Sequence, residues 1–466
     1  MTVHVLPDIA LLDIFDFYMD EEHIESWHTL VHVCQKWRNI VFGSPRRLNL
    51  RIHYQTTKPV REMLDVWPAL PIVIKVHYSE MWNTNNIVAA LEHNDRIYEF
   101  WDVFALGSQA MDKVLPAMQR SFPALTRLRL GCGNETTPVQ PDSFLGGSAP
   151  RLQYLVLSCI QFPGLPKLLL SATRLVVLKI QEIPLSGYIS PEAMVTALAV
   201  LTCLEDFDLA FVSPLSFPDR KSQRLPPQAR ILLPSLTSFS FIGACEYLED
   251  LVDHIDAPLL DKFRTIFFPQ QIFGTVQLTQ FITRTPKFKA HDTARMVFFD
   301  LDAVISFSQA SEGVLELGIS WEQPDLLFSS LVQLCSSTFF RAFIPVVETL
   351  HILEGEDLQL CWPGDIESRQ WLELLHPFTA VKGLYIFWEF VPRIAFTLQE
   401  LAGERVTEVL PVLHTLFLEK PLPSGPVQDA IGQFFNARRL AGNTMVVFYD
   451  CEFEVFECLV DFRVCA

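Results

Sequence analysis

Charge is scarce in this chain, and what there is leans to one sign. Only 19% of the 466 residues are charged, with 54 acids against 36 bases and a formal net charge of −18. So little charge argues against a coiled coil or a charged spacer. The acidic excess repels phosphate backbones, so nucleic acid is not expected as a partner. Long apolar runs are missing too. The most apolar helical stretch, residues 193–204, is closed off by Glu192 and Glu205. It falls short of the roughly 20 residues a membrane span needs, so it reads as a buried helix and no membrane partner is expected. No cationic stretch precedes an apolar run at the start, so a secretory signal is not expected. The ten cysteines include no Cys-x-x-Cys pair. They read as reduced, buried thiols of a cytoplasmic or nuclear protein.

Signatures of catalysis are absent as well. There is no GxxxxGK phosphate loop and no GxSxG elbow, and Gly131-Cys132-Gly133 lacks a third glycine at the right place. His28 and His32 have the spacing of helix-borne metal ligands, but Thr29 stands where HExxH has its Glu; they read as helix-surface histidines. Cys451, Cys458 and Cys465 recur at a regular interval with no His among them, and buried thiols are the simpler reading. The chain is therefore expected to be non-catalytic, with no metal and no cofactor. An enzyme on an α/β frame is a third reading, and no nucleophile–base pair supports it.

What the chain does have is apolar bulk. Half of it is hydrophobic, Phe alone counts 37, and the mean hydropathy is +0.24. Such a composition builds a large core and excludes general disorder. The length suits roughly three compact domains or one repeat array.

The first 61 residues segregate charge. Up to residue 35 there are seven acids and no Lys or Arg; residues 36–61 carry seven bases and no acid. Either the two halves attract each other within a small module, or the module presents an acidic lip and a basic back for docking. Leu6-Pro7-Asp8 opens a helix, because Pro is tolerated in the first turn and Asp suits the positive end of the dipole. Leu11, Ile14, Phe15 and Tyr18 form one face, widened by Leu12. A second helical pattern runs through Leu30, Val33, Cys34, Trp37, Ile40 and Val41 to Gly43-Ser44-Pro45. A unit this small needs a partner or a neighbouring domain to bury its apolar faces.

The segments Leu6-Pro7-Asp8-Ile9-Ala10-Leu11-Leu12-Asp13-Ile14-Phe15 and Val33-Cys34-Gln35-Lys36-Trp37-Arg38 resemble an F-box. The stretch Ser44-Pro45-Arg46-Arg47-Leu48-Asn49-Leu50 resembles the segment after the F-box in a large family of fungal F-box proteins. The sequence departs at Ile9, where the family often has an acid. The resemblance implies that Leu6, Pro7, Leu11, Ile14 and Phe15 form a face for a Skp-family adaptor, with Trp37 supporting it from within. Through that adaptor the chain would join a cullin.

Beyond the module a pattern repeats: Leu-x-x-Leu-x-Leu with conservative replacements. It starts at Leu125, Leu152, Leu175, Leu204, Leu236, Val314, Val347, Val381 and Leu413, with weaker copies expected near Leu260 and Ala294. The last two residues of each triple alternate as in a half-buried strand, and Phe-Pro or Leu-Pro often precedes the first. One strand plus a helical return resembles a leucine-rich repeat. The Asn or Cys expected after the last Leu is missing, so the asparagine ladder should be absent.

The expected fold is α/β: an N-terminal helical F-box followed by an irregular leucine-rich-repeat-like solenoid, with parallel strands on the concave face and helices outside. Residues 1–51 are the helical module, 52–121 a linker with atypical first repeats, 122–443 the repeat domain and 444–466 a C-terminal cap. Residues 214–230 read as a basic loop and 354–365 as an acidic turn. Positions alternating with the buried residues should line the concave side: Arg127, Arg129, Tyr154, Val156 and Lys179 early, Asp206, Asp208, Ser238 and Ser240 in the middle, and His351, Tyr385, Phe387 and Phe417 late. Clustered aromatics place the partner-binding surface at Tyr385, Phe387 and Phe417, beside Trp388, with the early basic residues as a steering contact; the competing reading is that the chain's own tail covers these rings. The expected function is a substrate-recognition subunit of a Skp–cullin–F-box ubiquitin ligase holding an unknown protein target. A protein-binding scaffold with no ubiquitin-ligase role is the alternative.

Overall fold

The computed structural model describes residues 6–18, 27–55, 59–64, 67–75, 83–106, 108–132, 139–140, 142–213, 230–269, 273–288, 291–299, 302–307, 313–320, 324–355, 367–403, 405–420 and 425–449. The fold is mixed α/β. The chain divides into two compact units, Met1–Ile189 with Thr196–Leu204 and Ser190–Val195 with Glu205–Ala466. No helix among the described residues is long and apolar enough to cross a membrane.

The first unit opens with α1 (Asp8–Tyr18), α2 (Trp27–Val33) and α3 (Gln35–Gly43). The single second helix expected from the sequence is two, because Cys34 is fully extended (φ −161°, ψ 170°). Strands and returns then alternate: β1 (Ile52–Gln55), α4 (Val60–Leu64), β2 (Ile72–Lys75), α5 (Thr84–Leu91), β3 (Ile97–Leu106), α6 (Ser108–Ala117), β4 (Arg127–Cys132), β5 (Tyr154–Ser158), α7 (Leu165–Leu169) and β6 (Val177–Ile183). The strands pair in sequence order, all parallel. The boundary expected at residue 51 does not interrupt the packing. The helical core of Leu11, Phe15, Trp27, Leu30 and Val41 continues through Leu48 and Leu50 into Ile52 and Leu70. Trp27 donates its indole N–H to the Arg51 carbonyl (3.0 Å) and meets Trp67 edge-on. A module this small completes its core by borrowing from the sheet beside it.

After α8 (Pro191–Leu198), the second unit holds β7 (Asp206–Phe211), β8 (Ile231–Leu232), β9 (Ser238–Gly243), α9 (Cys245–Val252), β10 (Ile255–Asp256), β11 (Lys262–Phe267), α10 (Val276–Arg284), β12 (Thr293–Phe298), β13 (Asp302–Phe307) and β14 (Val314–Ser320). It continues with α11 (Pro324–Cys335), α12 (Thr338–Phe343), β15 (Thr349–Glu354), α13 (Ser368–Leu375), β16 (Gly383–Ile386), α14 (Val391–Glu400), β17 (Thr415–Leu418), α15 (Pro426–Leu440) and β18 (Val446–Tyr449). Its main sheet runs β7-β9-β11-β14-β13-β12-β15-β16-β17-β18; β8 and β10 form a small pair of their own.

The last two residues of all nine triples fall in these strands, and the weaker copies near Leu260 and Ala294 are β11 and β12. The sequence reading missed β13. It runs antiparallel to both β12 and β14 and reverses the spatial order of that stretch. The connections leave no other choice: only residues 299–301 and 308–313 join these strands, whereas a parallel crossover needs a dozen or more.

Seven of the nine triples begin in the same way, those at Val314 and Val381 being the exceptions. In these the residue that opens the triple is buried and donates its N–H three residues back: Leu125 to Phe122, Leu152 to Ala149, Leu175 to Ala172, Leu204 to Leu201, Leu236 to Leu233, Val347 to Ile344 and Leu413 to Leu410. One carbonyl of the preceding strand start then accepts the next two N–H groups. Thr126 accepts from Gln153 and Tyr154, Thr237 from Asp261 and Lys262, Glu348 from Lys382 and Gly383, and Lys382 from His414 and Thr415.

Phenylalanine fills the space between sheet and helices. Phe207, Phe239 and Phe263 succeed one another across β7, β9 and β11 with ring centroids 5.1 and 5.3 Å apart, and Phe263 reaches Phe281 of α10. Arg438 of α15 is fully buried and donates to the carbonyls of Val406, Leu410, Pro411 and Leu413, fixing the turn that starts β17. With no carboxylate among those partners, it works as a multiple donor to backbone.

Gly313 marks where space at a strand start runs out. A Cβ there would lie 2.6 Å from the Asp261 carbonyl oxygen, which accepts the Val314 N–H, and 2.9 Å from Phe288. Gly313→Ala is expected to cost about 1–3 kcal/mol in urea unfolding. Gly432→Ala, in α15 with open space around it, should instead stabilise by about 0.5–1 kcal/mol.

Candidate docking faces

Two surfaces of this framework could hold a partner, one on the helices and one on the strands. On α1 the apolar residues divide between opposite sides. Leu11 and Phe15 are 1% and 0% exposed, whereas Ile9, Ile14 and Phe17 are 65%, 49% and 89% exposed. The face expected from the sequence is therefore split. Leu6, Pro7 and Ile14 look outward; Leu11 and Phe15 belong to the module's own core. Trp37 is half-buried with its ring 4.8 Å from Phe15, supporting α1 from behind. Ile9 and Phe17 were missed, since they fall off the face that the sequence pattern marked as amphipathic. The segregated charges meet: Lys36 pairs with Asp8 at 3.3 Å and Arg47 with Asp13. His28 stacks on Trp67 and His32 meets the same ring edge-on, so both histidines pack.

On the second unit, strand register builds one row across the outward face. It runs Asp208, Ser240, Arg264, Glu316, Ser306, Arg295, His351, Tyr385, Phe417 and Phe448, each directly opposite the next. The first part is polar. Arg264 reaches Glu316 at 3.6 Å. Burial pushes the nearby Asp302 carboxyl up to about 6, with Arg264 opposing and Glu316 reinforcing the shift.

The last part is aromatic. His351 stacks on Tyr385 at 4.2 Å and 9°, Tyr385 on Phe417 at 3.9 Å and 6°, and Phe417 on Phe448 at 5.3 Å and 13°. Tyr385 and Phe417 are half-buried and Phe448 is exposed. Gly383 leaves room beside the stack, where a Cβ would rest 3.7 Å from Phe417 and 3.8 Å from Tyr385. Phe387 lies just past the end of β16, half-buried, its N–H donated to the Ile352 carbonyl. Trp388 is exposed and carries the Lys420 ammonium over its ring at 4.8 Å.

The sequence reading names Tyr385, Phe417 and Phe387, and the structure stacks the first two on each other. That reading missed Phe448, which needed the pairing of β17 with β18, and it missed Arg295. Val156, expected on the outward side, is buried. Residues 450–466 of the expected cap, 214–229 of the basic loop and 356–365 of the acidic turn lie outside the described residues, as do Cys451, Cys458 and Cys465. Among the described residues, no group of three or more His, Cys, Asp or Glu could hold a metal ion.

Burial, with the Arg295 charge adding to it, lowers His351 to about 4. The imidazole is therefore neutral at pH 7. A depressed folded pKa contributes stability that is complete above about 6.5 and lost as pH falls toward 4. His351→Phe should become more stable relative to wild type as pH drops through that window, by up to about 2 kcal/mol. Denaturant titrations at pH 7 and pH 4.5 would measure the difference, and equal gaps at both would contradict it.

No known protein-family model matches the chain, and no curated protein matches it.

Proposed function

We propose that the chain is a non-catalytic recognition subunit, in which an F-box-type helical module docks a Skp-family adaptor, and through it a cullin, while a leucine-rich-repeat-like array holds a protein target. The observation that carries the docking half is the apolar strip of Leu6, Ile9, Ile14 and Phe17 on a helix whose opposite face is already filled. Large apolar side chains grouped on one exposed surface mark an interaction site. The three-helix layout and the order of the motif residues support the F-box form of that site. The recurring strand start, returning helix and outward row support a repeat array that presents a binding face. On this reading the protein works in the cytoplasm or nucleus.

Leu6→Ala with Pro7→Ala should weaken adaptor binding by about 2–4 kcal/mol while leaving the thermal midpoint in place. Leu11→Ala should act differently, lowering stability by about 2–5 kcal/mol through loss of core packing. If the double variant pulls down the adaptor as well as wild type does, the F-box assignment fails. Recovery of a cullin with the adaptor distinguishes a ligase subunit from a scaffold that never delivers ubiquitin.

The aromatic column is the proposed target-holding surface. Tyr385→Ala with Phe417→Ala should keep adaptor binding and lose captured proteins. A large fall in melting temperature with unchanged capture would instead make the rings part of the core.

A further inference from the structure

At the far ends of β4, β5 and β6 the inward side of the sheet changes character. Along the strands it is apolar: Leu128, Leu155 and Leu178 stand opposite one another, then Leu130, Leu157 and Ile180. Gly131 is opposite Ser158, and Ser158 is opposite Gln181. The next residues in the three strands are Cys132, Cys159 and Glu182. Neither cysteine is in a disulfide; Cys132 is buried and Cys159 half-buried. The Glu182 carboxylate accepts hydrogen bonds from the Cys159 thiol and, at 3.3 Å, from the Ser158 hydroxyl.

Cys159 and Glu182 both hold a left-handed backbone, φ 55° and 54°, which residues with a Cβ rarely adopt. The ladder survives this turn, since the Cys159 N–H still reaches the Gln181 carbonyl at 3.1 Å. Strain of this kind persists only where the surroundings impose it, and here the thiol–carboxylate contact joins the two strained residues directly. A buried polar pair would account for Cys159 and Glu182. It does not account for a second thiol at the next place along the row. Neighbouring strands lie about 4.8 Å apart, and a disulfide joins Cα atoms about 4.4–6.8 Å apart. The register therefore sets Cys132 within bridging range of Cys159. Burial raises the Cys159 thiol, the Glu182 hydrogen bond and charge raise it further, Ser158 opposes them and Cys132 adds a little; the result is about 12. Only a thiolate attacks an oxidant readily, so Glu182 restrains the pair.

We propose that Cys132 and Cys159 are a redox pair that closes to a disulfide under a hydroperoxide, with Glu182 as its restraint. The Cys159 thiolate attacks one peroxide oxygen; the O–O bond breaks, and the departing hydroxide takes up the thiol proton to leave as water. The Cys132 sulfur then attacks the resulting sulfenic sulfur. The S–S bond forms, the S–O bond breaks, and a second water leaves with the Cys132 proton. Two thiols thus lose two electrons and two protons, and one peroxide becomes two waters. Glu182 is left with Ser158 alone, and the end of β6 loses the contact that holds its left-handed turn. The device needs neither adaptor nor target, so it stands apart from the recognition reading.

The test treats the full purified chain with hydrogen peroxide between pH 7 and 9.5, followed by alkylation and non-reducing peptide mass spectrometry. A Cys132–Cys159 linkage should form in the folded chain and be absent from Cys132→Ser and Cys159→Ser. Its rate should rise about tenfold per pH unit across the whole range, whereas an ordinary thiol levels off above about 8.5. Glu182→Gln, with its thermal midpoint retained, should form the linkage at least about fivefold faster at pH 7.5. If that variant fails to fold, the wild-type pH profile still decides. Amide exchange at Glu182 and Ile183 should quicken on oxidation and recover on reduction. Any of four results would overturn the proposal: no linkage while the exposed Cys203 is oxidised, a linkage only in urea, a rate that levels off near pH 8.5, or amide exchange unchanged by oxidation. A folded Glu182→Gln no faster than wild type would remove Glu182 from its role and overturn it as well.

Discussion

The structure depends on what happens at the start of each strand. A buried apolar residue closes a tight turn, and the carbonyl next to it in the chain takes the first N–H groups of the following strand. This joint does two things at once. It satisfies polar backbone in a place closed to water, and it sets the register of the next strand to the residue. A slip of one residue would carry every buried side chain to the outer face. The stepwise alignment of Leu128, Leu155 and Leu178 follows from the joint being made the same way at Leu125, Leu152 and Leu175. Return helices vary widely in length without disturbing it, because Arg438 and the Glu249 carboxylate, which caps the start of α10, lock helices through backbone contacts of their own.

This explains which parts of the fold can be read from the sequence. The triples record the joint and the buried alternation together, so nine strands could be placed from residue spacing. β13 could not, because acids, Asp300 and Asp302, stand where the pattern would need its opening apolar residue ahead of Ala303 and Ile305. Its reversed direction is dictated by loop length once the strand is known. The site was harder to read for a different reason. A single triple says which residues point outward, but not which residues of different strands stand side by side. Tyr385 and Phe417 were found one at a time; the column from His351 to Phe448 is a product of register.

The helical module meets a different constraint. With α1 apolar on both sides, only one face can be buried inside so small a unit. The choice falls on Leu11 and Phe15 because Trp37 stands behind them. The acidic residues of α1 and the bases after it hold the helix in that rotation, Asp8 through Lys36 and Asp13 through Arg47. Exposed pairs of this kind contribute little stability. Their effect is to choose an orientation, and that orientation leaves Leu6, Ile9, Ile14 and Phe17 outward.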